Sequence, residues 1–316
     1  MEKFSQWRDK GTGIAPFLPH PSSTFEATSL ASSSGPIRLA NGVLAVFSFI
    51  VKIPLVLALG SLHFAIILQF VPSYPVRKAS ARILLTILGV WYWNVSIEGV
   101  QARGSASRKH LYNSPKAGDI IFSNFLSPLD ALVYSAIVDP VFVIPAYNGA
   151  IKVYALFDAV VSSLKLPTAA SSSTMPTLGE IQAKALASQK VVVIFNEATP
   201  TNGRALLPPA IERFPDANLI ANKCRIFPSL IKYSPPDITT PIPPSSVVHY
   251  LCRVVCRWKA WSVRVRIAKP LDASDNDIAN SAFDEICRIG RIKRVGEDLS
   301  AVSKHDFVKA WKKGRS

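Results

Sequence analysis

The chain is poor in cysteine, in histidine and in acidic side chains, and each shortage excludes something. Its four cysteines, Cys224, Cys252, Cys256 and Cys287, are too few and too unevenly spaced for a disulfide framework in 316 residues, which points to a reducing compartment. Cys252 and Cys256 stand one helical turn apart, but no Cys or His pair at ligand spacing completes a zinc site, so no metal is expected. No cleaved secretory signal is expected either: the amino terminus is polar and charged, and the first long apolar run begins near Val43. Acidic residues number 21 against 36 Lys and Arg, a formal net charge of +15 that favours phosphate-bearing partners. The aromatic residues do not interleave with the basic ones as an RNA-stacking surface requires, which sets nucleic acid aside. What the chain has in quantity is apolar side chains, 49% of the total, enough for a substantial core. A basic chain with long apolar runs describes a protein of the membrane surface.

Composition changes along the chain predict four regions. Residues 1–40 are rich in Ser, Pro and Gly and read as a disordered or extended arm. Residues 41–95 read as an apolar, membrane-associated helical hairpin. Its first run, 43–71, exceeds the roughly 20 residues that cross a bilayer, but Lys52 and Pro54 interrupt it. Its second run, 83–93, is too short to span and ends in Trp91, Tyr92 and Trp93, residues favoured at a membrane interface. Over 96–272 short β-branched runs alternate with helical stretches. Strands are predicted around 119–122, 141–145, 191–195, 226–231 and 261–267, and helices over 127–137 and 177–188, which together argue for an α/β domain with a mixed central sheet and flanking helices. Residues 273–316 read as basic helices, a solvated face or a contact with anionic lipid.

In α/β sheets, sites gather where strands end. Two such turns carry chemistry-bearing residues: Ser123-Asn124-Phe125-Leu126-Ser127-Pro128-Leu129-Asp130, and Phe195-Asn196-Glu197-Ala198-Thr199-Pro200-Thr201-Asn202-Gly203-Arg204. Asp130 and Glu197 are a candidate carboxylate pair, and Arg204 offers a guanidinium to a phosphate. The same residue types also serve any turn or helix cap.

These turns resemble motifs of the glycerolipid acyltransferase superfamily. Its first motif, Asn-His, four residues, Asp, is matched at Asn124, Ser127 and Asp130, with Phe125 at the His position. Its third, Phe-Pro-Glu-Gly-Thr, is matched at Phe195, Glu197 and Thr199. The run Thr201-Asn202-Gly203-Arg204 is similar to one in the lysophospholipid acyltransferase branch, and Pro228-Ser229-Leu230-Ile231-Lys232-Tyr233 resembles the fourth motif. The opening Trp7-Arg8-Asp9-Lys10-Gly11-Thr12-Gly13-Ile14-Ala15-Pro16-Phe17 and the closing Asp306-Phe307-Val308-Lys309-Ala310-Trp311 look like the fungal endoplasmic-reticulum and lipid-droplet lysophosphatidic acid acyltransferase subgroup. The resemblance implies transfer of an acyl group from acyl-CoA, a co-substrate with no bound cofactor beside it, to lysophosphatidic acid, giving phosphatidic acid. It places the protein at the endoplasmic reticulum membrane and lipid droplet, facing the cytosol. It puts Asn124, Ser127 and Asp130 at the catalytic turn, and Glu197, Thr199, Thr201, Asn202, Gly203, Arg204 and Lys232 on the substrate.

The departures from the pattern bear on mechanism. Phe125 neither accepts nor delivers a proton. Asn196 replaces Pro, and Ala198 adds a methyl group where glycine serves a close backbone approach or a positive φ. The stretch 160–179, where a Gly-x-x-Phe-x-x-Arg motif is expected, has no arginine. None of His20, His63, His110, His249 and His305 lies in the first turn, which leaves Asp130 and Glu197 as bases if burial raises their pKa. The alternative is a catalytically silent relative that binds lysolipid or acyl-CoA, with a lipid-droplet or trafficking role.

Overall fold

The computed structural model describes residues 4–19, 35–98, 114–169, 176–211, 224–240, 247–272 and 277–313. His20 and His110, and the rest of the predicted arm at 1–3 and 20–34, lie outside them. The core is a mixed sheet of β1 (Val90–Ile97), β2 (Ile120–Ser123), β3 (Pro140–Val143), β4 (Val153–Tyr154), β5 (Val191–Phe195), β7 (Arg225–Ser234), β8 (Trp261–Ile267) and β9 (Leu271–Asp272). Their order is β1-β8-β7-β2-β5-β3-β4, with β9 beside β7. The strands β7, β2, β5 and β3 run parallel, and β8 pairs antiparallel to β7. β2 and β5 are buried along their whole lengths, because helices cover both faces, which is why they read as unbroken apolar runs. The five predicted strands and both predicted helices fall within the observed α/β architecture.

One face of the sheet packs Ile121, Phe125, Val193, Phe195, Phe227, Ile231, Val263 and Val265 under α2 (Tyr74–Leu88), α3 (Leu129–Ser135), α4 (Leu156–Ser162) and α6 (Val247–Cys256). The other packs Ile120, Phe122, Val192, Ile194 and Leu230 under α5 (Leu178–Ala187) and α7 (Ile278–Gly290). Period-two alternation assigns neighbouring residues of β7 and β8 to opposite faces, a division that matters below.

The apolar region differs from a hairpin of two membrane helices. α1 (Gly35–Ser61) continues through Pro54 and a π-helical segment, Leu62–Ile67, to Phe70. By length and composition Ala40–Phe70 is apolar enough to cross a membrane, and only 6% of its most apolar window is buried. Lys52 is accommodated because its Nζ donates to the Arg257 carbonyl at 2.6 Å. The second helix, α2, belongs to the core, burying Ala81, Leu84, Leu85 and Leu88. The tryptophan run does not extend a helix: Gly89, at φ +110°, ends α2, and Trp91, Tyr92 and Trp93 lie on the edge strand β1.

Residues 4–19, expected in the extended arm, are packed. Trp7 and Phe17 join Ala205, Leu207, Val295, Leu299, Phe307 and Val308 in a third cluster, outside the two faces of the sheet. Phe307 belongs to α8 (Ser303–Lys313), and its ring meets Trp7 edge-on at 5.3 Å and Phe17 at 5.7 Å. Asp9 accepts from the Thr12 amide and hydroxyl at 2.6 Å and from the Gly296 amide at 2.8 Å, linking the two ends of the chain. A separate two-stranded sheet pairs β6 (Ala205–Leu206) parallel with β10 (Lys293–Arg294). Phe307→Ala should lower unfolding free energy by about 3–5 kcal/mol, measured by denaturant titration.

Candidate functional site

The two predicted turns meet at the carboxyl ends of β2 and β5, where the parallel register sets Ser123 beside Phe195 and Ser229. Beyond Ser123, strand β2 gives way to a side chain that continues its ladder. The Asn124 Nδ2 donates to the Ile231 carbonyl at 3.0 Å, and its Oδ1 accepts from the Ile231 amide at 2.7 Å. Asp130, in the first turn of α3, folds back over the loop. Its Oδ2 accepts from the amides of Leu126 at 2.6 Å and Ser127 at 3.0 Å, and its Oδ1 accepts the Tyr233 hydroxyl at 2.7 Å. Ser127 shares a hydrogen bond with the Tyr250 hydroxyl at 3.2 Å, and Tyr134 donates to Ser229 at 2.7 Å.

Glu197 joins the two turns. Its Oε2 accepts the Phe125 amide at 2.7 Å, and its Oε1 accepts the Leu207 amide at 2.9 Å. The Thr201 amide returns a bond to the Phe125 carbonyl at 2.9 Å. Ala198 adopts φ +58°, the left-handed conformation a glycine would take at lower cost. Asn196 clamps the loop by pairing both ways with the Ile211 backbone, each bond 3.0 Å long. Asn202 holds the amino-terminal segment, donating from Nδ2 to the carbonyls of Ala15 at 2.8 Å and Leu18 at 2.9 Å. Gly203 lies so near Leu126 that a Cβ would approach its side chain to 3.0 Å.

Phe125 faces the core rather than a cleft. It is 2% exposed and stacks on Phe195 at 4.5 Å, and Phe195 in turn stacks on Phe142 at 6.0 Å. An aromatic ladder thus fills the place where the superfamily pattern calls for imidazole.

The structure brings Asn124, Phe125, Ser127, Asp130, Glu197, Thr199, Thr201 and Asn202 into one buried network. It leaves Arg204 and Lys232 apart from it. Arg204 is exposed. Lys232 is exposed on the α7 side of the sheet, because alternation along β7 sends Tyr233 toward Asp130 and its neighbour the other way. Among the histidines, His63 bonds Ser80 and His305 meets the Pro167 carbonyl, so neither serves the first turn. Among the described residues no His, Cys, Asp and Glu group could hold a metal ion.

Two contributors escaped the sequence reading. Tyr233 was visible only as part of a motif, and its partner stands 103 positions away. Lys304 of α8 is fully buried, and its Nζ donates to the Thr199 hydroxyl at 2.7 Å and the Pro200 carbonyl at 2.8 Å. A lysine in a basic tail gives no local sign of such a role.

Burial pushes the Asp130 carboxyl up to about 7 against the pull of its three donors, and pushes Glu197 up to about 8. Burial lowers the Lys304 ammonium to about 7, with Glu197 acting in the opposite sense. Two buried carboxyl groups and a buried amine thus titrate near neutrality beside the first turn. Such a site can hold or exchange protons, but each oxygen of both carboxylates already accepts a bond from the protein.

A buried, strand-end site joining Asn-x-x-Ser-x-x-Asp to Phe-x-Glu-x-Thr on a mixed α/β sheet defines an acyltransferase-like protein. No protein-family profile matches the chain. A provisionally named lysophosphatidic acid:oleoyl-CoA acyltransferase of Schizosaccharomyces pombe is 30% identical over 306 residues, covering 93% of this chain and 94% of the relative. Lysophosphatidic acid:oleoyl-CoA acyltransferase 1 of Saccharomyces cerevisiae is 27% identical over 334 residues, covering 98% and 97%. The chain belongs to this fungal acyltransferase family. Among solved structures, the 1-acyl-sn-glycerophosphate acyltransferase PlsC of Thermotoga maritima superposes with a TM-score of 0.44 at 13% identity, over 80% of this chain and 96% of that one.

Asp130→Ala should cost about 3 kcal/mol or more, since it orphans two buried amides. Asp130→Asn should keep the fold, its Oδ1 taking both amides and its Nδ2 donating to the Tyr233 oxygen. The carboxyl pKa is raised on folding, so its stabilisation is complete below about 4 and is lost as pH rises to about 7. Denaturant midpoints measured from pH 4 to 8 should therefore fall more steeply with pH for the native chain than for Asp130→Asn.

Proposed function

We propose that the chain transfers the acyl group of a long-chain acyl-CoA to the free hydroxyl of lysophosphatidic acid, releasing CoA and phosphatidic acid. The observation that carries this reading is near-full-length similarity to fungal relatives bearing that activity in their names. Retention of Asn124, Asp130, Glu197 and Thr199 in one strand-end network adds support.

The hydroxyl oxygen attacks the thioester carbonyl, the C–S bond breaks, and the hydroxyl proton ends on the departing sulfur. With Phe125 in the motif, no imidazole takes that proton in transit. Orientation of an already activated donor supplies the rate, and loss of a general base costs about 10²- to 10⁴-fold against a His-bearing relative. Asp130 and Glu197 act as positioning groups that hold the turn.

The reaction belongs at a membrane, since its acceptor and product are lipids. The exposed apolar faces of α1, including Phe47, Ile50, Leu57 and Phe70, suit that placement. We assign the protein to the cytosolic face of the endoplasmic reticulum and lipid droplet.

A second reading is favoured by the Phe125 stack, which seals the motif turn into the core. On it the chain binds lysolipid or acyl-CoA without turning it over. Acyl transfer from oleoyl-CoA to lysophosphatidic acid by the purified chain in detergent separates the two. The proposal expects slow turnover in the native chain, retained in Asp130→Asn at its folding-competent pH. Absence of turnover in the native chain, with activity emerging in Phe125→His, would establish the silent reading instead.

A further inference from the structure

On the sheet face opposite α1, four cations converge without an acid among them. Lys232 of β7 and Arg264 of β8 are direct cross-strand partners, and Arg266 stands opposite Leu230 one row on. With Gly290 and Arg291 from the end of α7, these residues line a cavity of about 360 Å³. Like charges placed opposite each other across a ladder destabilise it, so the pair is not there for the strand's benefit. Acids of α7 and of the residue after β1 are committed to other cations: Glu98 and Glu285 to Arg288, and Asp284 to Arg294. Among the described residues, none of Lys232, Arg264 and Arg291 has a carboxylate partner.

Two backbone features build the wall. Gly290 lets the end of α7 lie against Leu230, where a Cβ would come within 2.8 Å of its side chain. Arg291 then ends the helix at φ +50°, a left-handed position that glycine usually fills and that strains an L-residue. Arg266 is fixed in place by donating to the Ile289 carbonyl at 2.7 Å. An arginine strained into this turn, a pre-positioned second arginine and a repelling Lys-Arg pair make a preformed anion site.

We propose that this cavity binds the phosphates of the CoA moiety, the diphosphate and the 3′-phosphate together meeting the four cations. The inference rests on the acyl-CoA reading above. Position favours a water-borne nucleotide over a lipid headgroup. The apolar helix packs Val56, Phe64 and Leu68 on the other face of the sheet, while alternation turns Lys232, Arg264 and Arg266 away from it. In sequence Lys232 directly follows Ile231, the residue whose backbone Asn124 holds, while its side chain lies on the opposite face of the sheet.

The test is titration calorimetry of the full chain in detergent with CoA and with dephospho-CoA, beside flotation with phosphatidylcholine vesicles with or without phosphatidic acid. Arg264→Ala and Arg291→Gly should each weaken CoA binding about tenfold. Arg291→Gly should do so with no loss of thermal stability, because it relieves the left-handed strain. Dephospho-CoA should bind more weakly than CoA to the native chain. Equal CoA affinity in native and variant proteins would overturn the proposal, as would phosphatidic acid flotation that needs Arg264 and that CoA does not compete away. CoA binding is read without acceptor or turnover. Binding that needs Arg264 in a chain that transfers no acyl group would sink the acyltransferase reading and leave this site standing, and acyl transfer untouched by Arg264→Ala would do the reverse.

Discussion

The Glu197 carboxylate, buried and shared between the amides of Phe125 and Leu207, is the contact on which the site's geometry depends. Through one oxygen it sets the turn after β2, and through the other it holds Leu207 just past β6, closing the loop between them. That loop carries Asn202, which holds the amino-terminal segment, and Thr199, which receives Lys304 from α8. Two strand ends and both ends of the chain are therefore organised around one side chain. A short carboxylate placed among backbone amides can do this because each oxygen accepts from a different segment in a medium that excludes water.

The phenylalanine at position 125 becomes intelligible within that arrangement. Its backbone performs the motif's structural task, donating to Glu197 and accepting from Thr201, and this does not depend on the side chain. The side chain is then free to be selected for packing, and it extends the Phe195 and Phe142 stack. Asp130 shows the same separation of scaffold from chemistry, since its three bonds fix the turn whether or not a proton is moved there. A turn of this kind can keep its geometry through a change of side chain at position 125 because most of its members hold one another.

The two faces of the sheet carry different work. The α1 face is apolar and continues into the long exposed helix, while the opposite face collects Lys232, Arg264, Arg266 and Arg291. Strand alternation alone separates them. Lys232 and Tyr233 are adjacent in sequence and yet point into different environments, one open and basic, the other sealed against Asp130.

The sequence by itself determined the α/β class, the positions of the central strands and the two turns that matter, because buried strands leave unbroken β-branched runs and turns leave Asn, Pro, Asp and Gly. It also located the Phe125 departure. It did not reveal that Trp91 to Trp93 form an edge strand, since a short aromatic run suits a helix end or a strand equally well. Nor did it show that residues 4–19 are packed, because their aromatic partners come from α8 at the far end of the chain. Tertiary structure alone decided that Lys304 is buried, that Tyr233 rather than Lys232 reaches Asp130, and that four scattered cations share one cavity. Each of these is a contact between residues far apart in the chain, and local pattern records which face a residue occupies but not what meets it there.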